Sequence, residues 1–212
     1  MLEARELEAT RGGATLFSGL AFTLRPGALL RVTGANGSGK TSLLRVLCGL
    51  SQPNAGQVRW NGESIRALGE EYRKQLAYVG HANALKDDLT VTENLEAICA
   101  LAGLDAAPAR VQAAIGQFGL AGRERLPVKL LSQGQRRRAA LARLALSEAA
   151  PLWILDEPFA ALDADAVERV QSAAGEHLSR GGMIVLTTHQ EARIEARSAT
   201  DINLDRPPLI PS

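Results

Sequence analysis

The sequence predicts an α/β fold in which a parallel sheet forms the core of one domain. Two continuous apolar runs, Leu152–Asp156 and Met183–Thr188, have the composition of strands that are buried on both faces. A third strand pattern, Ala28–Thr33, leads through a glycine-rich loop into residues 43–47, whose apolar side chains recur at helical spacing. At 212 residues the chain has an ordinary length for one domain and can bury a large core.

Antiparallel strands are predicted at the front of the chain. Residues 2–9 and 16–24 alternate loosely between apolar and polar side chains, and turns are predicted at Arg11–Gly13 and Arg25–Gly27. Gln57–Trp60 predicts a further edge strand. We expect these strands to form an N-terminal antiparallel β subdomain next to the parallel core.

A helical lobe is predicted between two strands of the core. Lys74–Gly80 predicts the second core strand in chain order, and the pattern from Thr90 to about Arg143 is helical. Three helices are predicted in this span, starting at Thr92, at Ala106 and near Ser132. Because no strand pattern interrupts them, we expect a helical subdomain, at about residues 85–145, inserted into the α/β core.

The rest of the chain completes a single predicted domain over residues 1–205. A helix is predicted at Ala164–Leu178, and Met183–Thr188 is predicted to be the last buried strand. The proline-rich residues 206–212 are predicted to be a frayed tail.

Composition limits the classes of function. The formal net charge is +1 and aromatic residues make up 4% of the chain, so no basic or base-stacking surface for nucleic acid is expected. Cys48 and Cys99 lie in apolar helical runs without a C-x-x-C pair, which favours structural thiols in a reducing compartment. The sequence has neither a secretory leader pattern nor an apolar run long enough for a bilayer span. We therefore expect a cytoplasmic chain that meets a membrane only through a partner.

Residues 34–41 match the phosphate-binding pattern G-x-x-x-x-G-K-[ST]. The residues that we expect to hold a nucleotide here are Gly34, Ala35, Asn36, Gly37, Ser38, Gly39, Lys40, Thr41 and Ser42. Glycine lets the backbone close on phosphates without a Cβ clash, and the helix N-terminus directs N–H groups at the anion. Lys40 would supply an ammonium for the β- and γ-phosphates, and Thr41 a hydroxyl ligand for Mg²⁺. The alternative is a glycine-rich turn with a solvated lysine, which the strand and helix on either side disfavour.

Acidic and imidazole side chains follow the two buried strands. Asp156 could hold Mg²⁺ through water, and Glu157 could orient or deprotonate an attacking water. His189 could donate a hydrogen bond to the γ-phosphate from another strand end. Open parallel sheets bind ligands at the carboxyl ends of their strands, so these side chains should meet the phosphate loop there. The alternative is that these are ordinary solvated residues at strand ends, which the presence of the phosphate loop disfavours.

Two further motifs identify a family. Leu131–Gln135 (LSQGQ) resembles the LSGGQ signature of ABC-type ATPases, with Gln133 in place of the first glycine. Ala161–Asp163 resembles the D-loop of the same family, Asp156 and Glu157 its Walker B motif, and His189 its switch histidine. All of these motifs occur in the family's order after the phosphate loop. The resemblance covers nearly the whole chain and implies ATP and Mg²⁺ as cofactors, with Glu157, His189 and Lys40 as catalytic groups.

The resemblance also implies a head-to-tail homodimer that closes on two ATP molecules. In such a dimer Ser132, Gly134, Gln135 and Asp163 would face the ATP held by the other subunit's phosphate loop. A helix N-terminus near Ser132 suits that role, because it presents N–H donors and a positive dipole end to a phosphate.

Two further departures from the family pattern are informative. His81 stands where the family usually has a glutamine that touches Mg²⁺, and imidazole is a poorer Mg²⁺ ligand than an amide oxygen. We therefore expect His81 to act through water or in coupling to the membrane partner. Arg11 falls where the family usually stacks an aromatic residue on adenine, and a guanidinium plane can also stack on a base. The alternative for Arg11 is a solvated arginine in a turn.

Within the family, the flanking residues resemble the ATP-binding subunits of cytochrome c maturation systems. The resemblance rests on His81 and on residues 15–20, 152–159 and 186–190. It implies a peripheral subunit on the cytoplasmic face of the bacterial inner membrane that works with integral membrane permease subunits. Its expected role is to couple ATP hydrolysis to haem handling or to release of a haem chaperone.

Three alternatives stay open at the level of sequence. An ATPase subunit of another ABC transporter, for a small molecule or a lipid, shares every catalytic motif, and only His81 and the flanking residues separate it. A soluble ABC protein acting on ribosomes or DNA typically carries paired cassettes, coiled-coil insertions or basic arms, none of which is seen. A module that binds ATP without hydrolysing it is disfavoured because Glu157 and His189 are both present.

Overall fold

The computed structural model describes residues 1–189 and 193–205. The strands, in chain order, are β1 Leu2–Arg11, β2 Ala14–Leu24, β3 Ala28–Thr33, β4 Ala55–Trp60, β5 Glu63–Ser64, β6 Leu76–Val79, β7 Leu152–Asp156, β8 Met183–Thr187 and β9 Ser198–Asn203. The helices are α1 Lys40–Leu47, α2 Ile65–Leu68, α3 Glu70–Arg73, α4 Val91–Ala102, α5 Pro108–Gln117, α6 Gln133–Leu146 and α7 Ala164–Ser179, with a 3₁₀ turn at Val128–Leu130.

A four-stranded antiparallel sheet, of order β2-β1-β4-β5, contains the strands from the front of the chain. The expected antiparallel pairing of β1 with β2 is confirmed, with Leu2 opposite Leu24 and Arg11 opposite Ala14. The prediction of an edge strand at Gln57–Trp60 was wrong, because β4 lies between β1 and the short β5. β5 has only two residues, which is too short for an alternating pattern to be recognised in the sequence.

A five-stranded parallel sheet, of order β6-β7-β8-β3-β9, forms the core. The expected α/β class is confirmed. The sequence did not predict β9, which follows the strand that was expected to be the last buried one. The side chains of β9 are almost all exposed, and its Asp201 pairs with Arg31 on β3. A polar strand at a sheet edge lacks the apolar run by which a buried parallel strand is recognised.

The parallel sheet is buried on both faces because its side chains alternate between two cores. On β7, Leu152 and Ile154 pack with α1 and the antiparallel sheet, whereas Trp153 and Leu155 pack with the helices of the other layer. The four side chains are at most 2% exposed. The strand ends are therefore held rigidly between two apolar layers, which fixes the positions of the residues that follow them.

Between β6 and β7 the chain forms helices α4, α5 and α6, as the periodicity predicted. α4 and α6 begin with capping boxes, in which Thr90 pairs with Glu93 and Ser132 with Gln135. Of the helices in the described residues, none is both long and apolar enough to cross a bilayer. Cys48 and Cys99 are buried and free, as expected of structural thiols. The expectation for residues 206–212 lies outside the described residues.

Candidate nucleotide-binding site

A cleft of about 450 Å³ opens at the carboxyl ends of the parallel strands. It is lined by Arg11, Leu16, Asn36, Gly37, Gly39, Lys40, Thr41, Ser42, His81, Asp156, Glu157, Ala160 and His189. The loop after β3, the residue group after β6, and the ends of β7 and β8 therefore meet here, as the rule for open parallel sheets requires. Sequence reasoning did not single out Leu16 and Ala160, which form apolar parts of the wall.

Glycines shape the loop between β3 and α1. Gly39 is the residue before α1 and has a φ of 100°, which a side chain rarely adopts. A Cβ at this position would also lie 2.9 Å from the Cβ of Leu16. Gly34, at the start of the loop, has a φ of 145°, and a Cβ there would lie 2.5 Å from Ser38 Oγ. Only glycine fits these two positions, so the loop stays close to the strand and the helix.

Hydrogen bonds fix the base of the loop. Lys40 is only 8% exposed, and its Nζ donates to the carbonyl oxygens of Gly34 at 2.7 Å and Ala35 at 3.0 Å. The backbone N–H of Ala35 donates in turn to Asp205 Oδ2 at 2.8 Å. Asp205 directly follows the edge strand β9 and its turn, so this strand anchors the loop from outside the motif. Sequence reasoning missed Asp205 because β9 itself was not predicted.

A chain of three oxygen groups connects the loop to two strand ends. Thr41 Oγ1 donates to Asp156 Oδ2 at 2.9 Å, and Thr187 Oγ1 donates to Asp156 Oδ1 at 2.7 Å. Asp156 is 2% exposed and Thr187 is fully buried. A hydroxyl and a carboxylate are hard oxygen donors of the kind that Mg²⁺ prefers, so the residues present fit that ion. Within the described residues, no group of three or more His, Cys, Asp or Glu side chains is placed to hold a metal ion.

Glu157 has a left-handed backbone with a φ of 48°, which is unfavourable for a residue with a Cβ by roughly 1–2 kcal/mol. Hydrogen bonds hold both of its peptide groups. Its N–H donates to Thr187 Oγ1 at 2.9 Å, and its carbonyl accepts from Arg137 at 2.9 Å. Its Oε1 is buried, has no hydrogen-bond partner in the described residues, and lies 3.4 Å from His189 Nε2. Glu157 lines the cleft, and its strained backbone is held next to a carboxylate oxygen that has no hydrogen-bond partner among the described residues.

Arg137, on α6, is a buried cation behind the site and is only 4% exposed. Its Nη1 donates to the carbonyl of Gly80 at 2.9 Å and to Asn83 Oδ1 at 3.3 Å. Its Nη2 donates to the carbonyls of Asp156 at 2.7 Å and Glu157 at 2.9 Å. Burial lowers the pKa of Arg137 from its ordinary value, and the negative charges of the two carboxylates oppose that effect. The sequence contained a signal for this burial, because Arg137 shares a helical face with two leucines at i+4 and i+7.

The signature-like loop lies beside the cleft and does not line it. Ser132 is the N-cap of α6, and its Oγ accepts from the backbone N–H of Gln135 at 3.3 Å. A Cβ at Gly134 would lie 2.8 Å from the carbonyl oxygen of Ala161, so the signature loop packs against the D-loop. Asp163 is the N-cap of α7 and accepts from the N–H of Ala166 at 2.8 Å. The sequence-predicted site residues outside the lining of the cleft are Ser132, Gly134, Gln135 and Asp163, together with Gly34, Ala35 and Ser38 of the phosphate loop.

Arg11 and His81, at which the sequence departs from the family pattern, both line the cleft. Arg11 is exposed and stands at the end of β1, on the same side as Leu16. His81 is exposed and also lines a second cavity of about 600 Å³, together with Asn83, Gln133 and Arg136. The residue thus lies between the nucleotide cleft and the region of the signature loop.

A parallel sheet whose strand ends carry a phosphate-type loop and an aspartate, with a helical insertion before the strand of that aspartate, has the architecture of an ATP-binding cassette. The family model of the ABC transporter matches residues 17–160. Solved structures of ATP-binding cassettes have the same fold. A structure of the ATP-binding subunit of an ABC transporter aligns with a TM-score of 0.80 at 28% identity, covering 89% of this chain and 79% of that one. The fold is also that of a dimeric ATP-binding cassette in a post-hydrolysis state with ADP and Pi, with a TM-score of 0.79 at 22% identity over 90% of this chain and 88% of that one.

More similar relatives carry a more specific name. The cytochrome c biogenesis ATP-binding export protein CcmA of Nitrosomonas europaea is 56% identical over 90% of this chain and 89% of its own length. The proteins of the same name from Dechloromonas aromatica and Escherichia coli K12 are 52% and 46% identical, each over 96% of this chain, and over 100% and 96% of their own lengths. The chain therefore belongs to the ABC transporter family and, within it, to the family of the cytochrome c biogenesis ATP-binding export proteins.

Proposed function

We propose that this chain is the ATP-hydrolysing subunit of a bacterial inner-membrane ABC complex for c-type cytochrome biogenesis. The observation that carries the proposal is its identity of 46–56%, over 90% or more of the chain, with relatives named as cytochrome c biogenesis ATP-binding export proteins. The subunit sits peripherally on the cytoplasmic face of that membrane, bound to integral permease subunits. It couples ATP hydrolysis to haem handling or to release of a haem chaperone.

The phosphate loop binds the nucleotide in this proposal. Lys40 is held within the loop by the carbonyl oxygens of Gly34 and Ala35, so its ammonium lies inside the loop that binds the β- and γ-phosphates. Arg11 and Leu16 form the wall on which adenine packs, with the guanidinium plane against the base. Thr41 and Asp156 would hold Mg²⁺. When bound, Mg²⁺ supplies positive charge that neutralises the phosphate oxygens.

Glu157 and His189 act on hydrolysis. Glu157 Oε1 is buried and without a hydrogen-bond donor among the described residues, so it can accept a proton or a hydrogen bond from the attacking water. His189 Nε2, 3.4 Å from that oxygen, can donate to the γ-phosphate and report its presence. The position of the general base Glu157 is thus fixed by the end of β7, and that of His189 by the end of β8.

The site is completed by a second copy of the chain. Ser132, Gly134, Gln135 and Asp163 do not line the monomer's cleft, yet Ser132 lies at the N-terminus of a 14-residue helix, where phosphate is favoured. In a head-to-tail dimer these residues face the ATP on the partner's phosphate loop. The capping box of Ser132 and Gln135 satisfies two backbone N–H groups and leaves the remaining N–H groups of the first turn for that phosphate.

The hydrolytic part of the proposal is tested with Glu157→Gln and Lys40→Ala. Glu157→Gln should reduce turnover to a small residual rate and leave ATP binding largely intact, because the amide cannot take a proton but keeps the shape of the side chain. Lys40→Ala should weaken ATP binding itself. Glu168→Gln is the matched control. Glu168 is exposed on α7, away from the cleft, so this variant should hydrolyse ATP like wild type. Wild-type turnover in Glu157→Gln would refute the assignment of the base.

The biological part is tested by affinity purification of the tagged chain from detergent-solubilised membranes, with haem absorbance read on the eluate. Co-purification with the permease subunits of the cytochrome c maturation complex is the expected result. The Glu157→Gln chain, which should retain ATP, is expected to stay associated with them. Recovery with the permease of another transporter would keep the ATPase and remove the haem role, and recovery with ribosomes or DNA would overturn the transporter assignment.

A further inference from the structure

We propose that Arg137 is a positioning residue that makes the hydrolytic competence of Glu157 depend on the seating of helix α6. The inference rests on the proposed role of Glu157 as the general base, and it does not depend on the haem or cytochrome assignment. Arg137 contacts the backbone of the reacting region, and its side chain does not line the main cleft.

The first argument is the geometry of the guanidinium. Its two terminal nitrogens carry four N–H groups, and the structure gives each nitrogen two acceptors on segments far apart in the chain. Two acceptors belong to residues 80 and 83, after the core strand β6, and two are consecutive carbonyls at the end of β7. A planar fork is the side chain best suited to hold several carbonyls in one fixed arrangement. Arg137 therefore ties α6 to both strand ends at once.

The second argument is the backbone of Glu157. A left-handed φ of 48° is not held by the residue itself and persists only when neighbours fix both peptide groups. Thr187 of the parallel sheet holds the N–H side, and Arg137 of α6 holds the carbonyl side. Loss of the carbonyl bond would let the backbone relax and turn the carboxylate away from its direction into the cleft.

The third argument is the contrast with the neighbouring arginines. Arg136 is paired with the exposed Asp87 at 2.9 Å, and Arg138 donates to the carbonyl of Gly119 at 3.0 Å. Both contacts stay within the helical segment and the loop that leads into it. Arg137 alone of these three points into the strand ends, five residues after Ser132 at the N-cap of the same helix. A displacement of α6 would thus reach Glu157 through Arg137.

The test compares Arg137→Gln, Arg137→Lys and Arg138→Gln with wild type in ATP hydrolysis and in binding of a non-hydrolysable ATP analogue. Arg137→Gln should lower kcat about 10- to 100-fold, the usual range for residues that orient a reacting group from behind, with the analogue's Kd within about twofold of wild type. Arg137→Lys keeps the positive charge but lacks the planar guanidinium, so its kcat should lie between those of wild type and Arg137→Gln. Arg138→Gln should match wild type, since its contact lies away from the cleft.

A double mutant separates positioning from general loss of stability. In the Glu157→Gln background, adding Arg137→Gln should lower the residual hydrolysis by less than threefold, because the group that Arg137 positions has already been removed. A full 10- to 100-fold further loss would overturn the proposal, as would an Arg137→Gln protein with wild-type kcat. If Arg137→Gln does not fold, Arg137→Lys decides, and wild-type kcat in that variant overturns the proposal. A wild-type chain without ATPase activity would instead refute the proposed function.

Discussion

The buried histidine His177 makes a prediction whose size follows from the structure. Its ring is 2% exposed and stacks on Trp153 with ring centroids 4.0 Å apart and planes 10° apart. Gly182 packs directly against it, because a Cβ there would overlap the imidazole. Burial lowers the pKa of His177 from 6.5 to about 4, since the charged ring would lose its hydration in this apolar setting.

The sign of the pH effect follows from proton binding. The unfolded chain takes up a proton on His177 at about pH 6.5, whereas the folded chain does so only near pH 4. The stability that depends on the neutral ring is therefore complete above pH 6.5 and is lost as the pH falls toward 4. Linkage gives a loss of ~2 kcal/mol by pH 5 and ~3 kcal/mol by pH 4 in the free energy of unfolding.

The assay is urea unfolding at a series of pH values between 8 and 5 for wild type and for His177→Gln. The variant should be less stable at pH 8, because it loses the stacking on Trp153, but its stability should fall by ~2 kcal/mol less on acidification to pH 5. His81→Gln is the matched control, because His81 is exposed, and its curve should parallel that of wild type. Parallel curves for His177→Gln and wild type would refute the linkage argument.

Three further predictions concern the site. Thr187→Val should lower the free energy of unfolding by ~2 kcal/mol, since the buried Asp156 carboxylate loses a hydrogen-bond donor, and should also lower kcat; unchanged urea midpoints would contradict it. Asp205→Asn should weaken ATP binding by less than tenfold, because the amide oxygen can still accept from the Ala35 N–H at the base of the loop. Asp205→Ala, which removes this acceptor, should weaken binding more. Equilibrium binding of a fluorescent ATP analogue measures both effects. Arg11→Ala should raise the Kd for ATP about two- to fivefold through loss of cation–π stacking on adenine; equal affinity would leave Arg11 a solvated residue at the end of β1.

Sequence patterns predicted the parts of the fold that depend on local periodicity. The buried strands β3, β7 and β8 and the three helices before β7 were all found where apolar spacing placed them. β9 was missed because a polar edge strand depends on pairing with β3, and that pairing is a long-range contact with no local signal. The short helices α2 and α3 have four residues each and no periodicity to detect.

The candidate site was predicted as far as its motifs extend. The phosphate loop, Asp156 and Glu157 meet in one cleft because parallel strands end at the same edge of the sheet. Motifs do not show which residues support those groups from behind. The sequence predicts Thr187 only as part of a buried strand, whereas in the structure its hydroxyl forms hydrogen bonds with both Asp156 and Glu157. An apolar residue of the same size could not accept from the Glu157 N–H or donate to Asp156, and only the assembled structure shows these contacts.

The backbone of Glu157 is held from two sides that belong to different parts of the molecule. Thr187 holds its N–H from the parallel sheet, which is buried between two apolar cores and is therefore rigid. Arg137 holds its carbonyl from α6, in the helical segment between β6 and β7. A shift of α6 against the sheet would change the second bond and leave the first intact, so it would rotate the peptide rather than displace the whole residue. For this reason Thr187→Val should lower stability and turnover together, whereas Arg137→Lys should act mainly on turnover.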